Sequence, residues 1–108
     1  MPEKLDRQKF QEMQVLEQNL QNLLMQKQAF QLELSETQNA LKELEKSGED
    51  VFKIIGQLML KTDKEGIKEE LINKEKILSL RLKAIEKQEE SFIEKSEKLR
   101  QELIQSMK

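Results

Sequence analysis

The chain has 108 residues and a net charge of −2, with 37% charged and 36% apolar residues and four phenylalanines as its only aromatics. Three glycines and one proline are too few for the turns of a sandwich or an α/β domain, so long helices are expected and a compact enzyme is not. With no cysteine and no histidine, disulfides, thiolate and imidazole metal sites, thiol nucleophiles and the commonest general base are excluded.

The first predicted element is a helix over residues 1–46, its regular stripe starting between Glu3 and Phe10. Met13, Leu16, Leu20, Leu23, Phe30, Leu34, Leu41 and Leu44 alternate spacings of three and four, with Lys27 and Thr37 as the two polar interruptions. That is a coiled-coil seam sustained for several heptads. A leucine at position 27 is therefore expected to tighten it. Ser47-Gly48 supplies the stop, because glycine tolerates the left-handed conformation that closes many helices.

Between the helices, Val51, Phe52, Ile54, Ile55, Leu58, Met59 and Leu60 crowd into an eleven-residue run ending at Lys61. β-branched and aromatic residues on either side of Gly56 predict a hairpin over 51–62, with strands near 51–55 and 58–62. A turn at Ile55-Gly56-Gln57 would place Phe52 and Ile54 on one face with Leu58 and Leu60. So much apolar surface is costly in water, and an isolated two-stranded hairpin is marginal. The missing cover is expected to be equivalent hairpins from other subunits, completing a sheet or barrel, with these seven residues as the oligomer interface.

The second helix is predicted over 63–106. Thr62-Asp63-Lys64-Glu65 has the form of a capping box, and Leu71, Leu78, Ile85, Phe92 and Leu99 recur every seven residues. Folding the helices back about residue 56 pairs positions whose numbers add to 112, such as Met13 with Leu99 and Phe30 with Leu82. The second line of this helix is more polar, with Glu75, Glu89 and Ser96, so the seam should be loose.

The fold-back also brings the two chain ends together. Phe10, Met13, Val15 and Leu16 then lie beside Leu99, Leu103 and Ile104, with Val15 and Ile104 off the seam. Eight of the thirteen glutamines fall between Gln8 and Gln31, which keeps that arm polar but little charged. Such a surface suits soft contact with varied apolar partners.

Paired carboxylates such as Glu69-Glu70 lie among lysines at helical spacing, as ordinary surface pairs do. No phosphate-binding glycine loop is present, so neither a cofactor nor nucleotide-driven work is expected. The charge balance, with no basic face, argues against nucleic acid and against an RNA-gripping arm. The absence of a long apolar run argues against a membrane span, and a cytoplasmic location is expected.

These stretches resemble prefoldin subunits, and the single hairpin resembles the β class, most of all the archaeal type. The matching residues are Gln26-Lys27-Gln28, Glu36-Thr37-Gln38-Asn39-Ala40-Leu41 and Glu43-Leu44 in helix one. In the hairpin they are Val51-Phe52-Lys53 and Ile55-Gly56, with Leu58, Leu60 and Lys61. Helix two contributes Leu80-Arg81 and Ile85-Glu86-Lys87-Gln88-Glu89-Glu90. The resemblance runs from about Phe10 to Met107 and implies a single prefoldin-like domain over 1–108. It further implies a hexamer of two α and four β subunits whose hairpins build a double barrel. The activity implied is an ATP-independent chaperone that holds unfolded polypeptides at the arm tips and passes them to a group II chaperonin. Client contacts would fall on Phe10, Met13, Val15, Leu16, Leu99, Leu103 and Ile104. The alternative is a structural coiled-coil tether without clients.

Overall fold

The computed structural model describes residues 2–107, and side chains over 4–107; Met1, included in the predicted range of helix one, lies outside them. The element order is helix α1 (Pro2–Lys46), strands β1 (Val51–Ile55) and β2 (Leu58–Thr62), and helix α2 (Lys64–Ser106). This is the expected mainly α architecture with one hairpin between two long helices. The chain divides into two compact units. A hairpin unit spans Phe30–Leu82, and a terminal unit combines Met1–Ala29 with Lys83–Lys108.

In the hairpin unit the end of α1 runs antiparallel to the start of α2, burying Leu44, Leu78 and Leu82; Leu78 is only 2% exposed. Thr37, one of the two polar interruptions, is also buried at 3%. Its hydroxyl donates to the Glu33 carbonyl at 2.8 Å, so the polar group enters the seam already satisfied. Across the same seam Arg81 covers the Phe30 ring, 5.7 Å from its centroid, which leaves Phe30 half-buried.

The helix ends use side chains more than glycine. Gly48 does not adopt a positive φ; α1 is closed by Ser47, whose hydroxyl donates to the Leu44 carbonyl at 2.8 Å. Lys64, the first residue of α2, then donates to the Ser47 carbonyl at 2.9 Å. The start of α2 is capped by Asp63, not Thr62. Its carboxylate accepts the Gly66 N–H at 3.2 Å. Thr62 is unavailable as a cap because it is the last residue of β2, paired with Val51. The cap therefore shifts by one residue and its third helical position is a glycine, so no reciprocal capping box forms.

The hairpin turns on two residues, Gly56 and Gln57, with Ile55 opposite Leu58 and Ile54 opposite Met59. Gly56 has φ +60° and no other described residue has a positive φ, the pattern of a type II′ turn. This register corrects the expected faces. Residues opposite one another share a face, so Phe52 and Ile54 lie with Met59, while Leu58 and Leu60 lie with Val51 and Ile55. The expectation assumed a three-residue turn, and one residue of turn length inverts the parity of the second strand.

In the terminal unit the remaining lengths of α1 and α2 are antiparallel and bury Leu23, Ile85 and Leu103. Other seam residues, including Leu20 and Phe92, are half-buried, as two helices alone must leave them. Lys27, the second polar interruption, meets Glu89 across this seam at 3.1 Å.

Candidate binding surfaces

The hairpin presents apolar side chains on both faces. Val51 is half-buried against the helices, over a cleft of about 340 Å³ shared with Leu44, Ile67 and Leu71. Lys53, on the same face, reaches α2 and pairs with Glu70 at 3.0 Å. Beyond those two anchors the cover ends. Ile55, Leu58 and Leu60 on one face, and Phe52, Ile54 and Met59 on the other, are all exposed, Ile54 to 69%. Six large apolar side chains on a twelve-residue hairpin exceed what scattered surface hydrophobics account for. Among the described residues both strand edges are also unpaired, because the sheet they form has two strands.

The second surface is the open end of the terminal unit. Ser106 donates to Asp6 at 2.8 Å and Lys9 pairs with Glu102 at 3.4 Å, which ties the two chain ends side by side. The seven residues singled out there separate into three environments. Phe10, Val15 and Ile104 are exposed, each near half. Met13, Leu16 and Leu99 are half-buried seam residues. Leu103 is buried at 4% and presents nothing to solvent. Its place was readable, since it continues the second line of α2 seven residues beyond Ser96. Leu5 and Met107 are exposed at the same end.

Between the helices at this end runs an open groove of about 800 Å³ floored by Val15, Leu16 and Leu99. Gln11 and Glu12 line its α1 wall, and Lys95 and Lys98 its α2 wall. Leu24 and Ile93 are exposed apolar residues that the seam pattern did not single out. The signal that finds them is their offset: each directly follows a seam residue, Leu23 or Phe92.

Among the described residues no group of acidic side chains could hold a metal ion, and no helix is long and apolar enough to cross a membrane. What this arrangement offers chemically is apolar area bordered by amides and charges, which suits binding.

The chain is similar to known proteins over most of its length. The sequence model of a family described as "Prefoldin subunit" matches residues 7–108. The chain is 44% identical over 89 residues to the prefoldin subunit beta of Thermococcus onnurineus, covering 81% of this chain and 77% of that one. It is 40% identical over 98 residues to the prefoldin subunit beta of Methanothrix thermoacetophila, covering 89% and 82%. The crystal structure of the prefoldin beta subunit from Thermococcus strain KS-1 superposes with a TM-score of 0.83 at 36% identity, covering 92% of this chain and 89% of that one.

Proposed function

The chain belongs to the prefoldin family as a β-type chaperone subunit, and from that premise we propose that it holds unfolded polypeptides without ATP and passes them to a group II chaperonin. The observation that carries the reading is the exposure of Phe10, Val15 and Ile104 at the end where the two helix termini are tied together. Met13, Leu16 and Leu99 lie beneath them and supply further apolar area as the seam breathes. Leu103 acts as a seam residue and leaves the proposed client set.

The hairpin serves assembly. Residues on both of its faces need cover that one chain cannot give, and its open edges accept further strands. Four copies of this chain with two α subunits, their hairpins joined in a double barrel, meet both needs. Such an assembly would present several weak apolar ends to one client, which raises avidity without strong single contacts. Its place of work is the cytoplasm.

Two measurements test the reading. Native mass spectrometry of the chain mixed with a prefoldin α subunit should give a hexamer with two α and four β chains. Light scattering should then show that this hexamer suppresses aggregation of a chemically unfolded protein equally with and without ATP. A hexamer that offers no protection would leave a structural tether as the function.

A further inference from the structure

With the seam taken as the a and d rows, the groove of the terminal unit is walled by the g and c rows of both helices. On α1 these rows, from Gln8 to Ala29, hold one charge, Glu12. On α2, from Ala84 to Gln105, they hold Lys95, Lys98 and Glu102. Two of these four charges are already engaged. Glu102 pairs with Lys9 at 3.4 Å, and Lys95 lies over the Phe92 ring, 5.8 Å from its centroid. Glu12 and Lys98 remain, on opposite walls, and among the described residues neither forms an ion pair. Between them Val15 is 57% exposed, with Leu16 and Leu99 half-buried below.

The same groove of a second copy could cover this floor in two symmetric ways. With the two-fold axis across the arm, α2 meets its equivalent, and Lys95 and Lys98 face the same two cations. With the axis along the arm, α1 meets the partner's α2, and unlike charges face each other. Asp6 with Ser106 and Lys9 with Glu102 show that residues whose numbers add to about 112 lie level. Glu12 is then two residues, about 3 Å along the helix, from the level of Lys98. Glu102 also comes near the partner's Glu12, but Lys9 neutralises it. At the rim, Gln11, Gln18 and Met25 in the f row come level with the partner's Gln101, Glu94 and Lys87, so no like charges are opposed. Further in, the c rows bring Ala29 level with Ala84, and such small side chains let helices approach closely.

We propose that this groove is a docking site for the same groove of a second copy of this chain, the two ends closing side by side as a parallel-arm four-helix bundle. Glu12 of each copy meets the partner's Lys98, and the two-fold axis makes that pair twice. Val15, Leu16 and Leu99 of both copies form the covered floor. The contact is separate from the hairpin interface and goes beyond the holding of clients. A closed pair and an open apolar end are alternative states of one surface.

Carbodiimide coupling of carboxylates to amines tests this on the full chain, in an equal mixture of unlabelled and heavy-nitrogen protein. Mass spectrometry should find Glu12 joined to Lys98, with about half of the joined peptides carrying one light and one heavy partner. Val15→Arg puts a charge on the floor and should lower this mixed product several-fold at unchanged helix content. Glu12→Lys together with Lys98→Glu only reverses the pair, so mixed coupling between the two positions should persist. Same-isotope products alone, or no Glu12 product, overturn the pairing, as does indifference to Val15→Arg. Loss of coupling in the reversed pair overturns it too. Equal mixed coupling at Glu17 does the same, because that residue lies in the e row, across the seam from the groove, where only chance collision would reach it.

Discussion

Lys27 and Glu89, polar residues at seam positions of their own helices, meet across the seam with Nζ and Oε1 3.1 Å apart and side chains 24% and 20% exposed. The pair changes what position 27 means. Lys27→Leu would enlarge the apolar seam but strand a half-buried carboxylate, so it should cost about 1 kcal/mol instead of tightening the arm. Replacing both residues by leucine should raise the melting temperature above that of the unmodified chain, because a well-packed apolar pair often outperforms a buried ionic one. Thermal melts of the two single variants and the double variant check this.

The inner layer of the hairpin unit should be the most sensitive to truncation. Leu78, 2% exposed, should cost about 3 kcal/mol as Leu78→Ala. Phe30 is half-buried under Arg81, so Phe30→Ala should cost less, about 2 kcal/mol. Chemical denaturation of both variants ranks them, and a Phe30→Ala loss exceeding that of Leu78→Ala would contradict the packing described.

Assembly should depend on the hairpin and not on the arms. Leu58→Glu or Ile54→Lys buries an unpaired charge wherever these faces are covered by other subunits, at several kcal/mol each. Both side chains are solvent-exposed in the single chain, which should therefore keep its helix content. Analytical ultracentrifugation should show loss of the oligomer with little change in circular dichroism. An intact oligomer for Leu58→Glu would place the interface elsewhere.

The turn should respond to backbone strain alone. A Cβ at Gly56 would meet nothing within 4 Å, but its φ of +60° is one that L residues avoid. Gly56→Ala should destabilise the hairpin by about 1 kcal/mol and lower the dilution resistance of the oligomer. The same measurement on Gly48→Ala, whose φ is not positive, should show no comparable loss.

Much of this was legible in the sequence. The two seams follow from spacings of three and four, and the hairpin follows from apolar density around Gly56. The features that escaped depend on parity or on reach across the seam. Whether the turn takes two residues or three decides which face Phe52 shares, and composition does not carry that count. Asp63 took the cap because pairing with Val51 had already used Thr62. Lys27 and Glu89 each looked like a defect because neither stripe alone reveals that long side chains from neighbouring layers can meet. At the chain ends position was readable but exposure was not. Phe10, Val15 and Ile104 face solvent, whereas Leu103 closes the seam.

The central claim, that clients are held by the chain ends while the hairpin holds the assembly, is tested most directly by removing the residues before Val15 and after Leu99. The truncated chain, mixed with a prefoldin α subunit, should sediment as a hexamer and fail to suppress aggregation of an unfolded protein, with or without ATP. A truncated hexamer that still protects at full strength would contradict the claim and move the binding surface to another part of the chain.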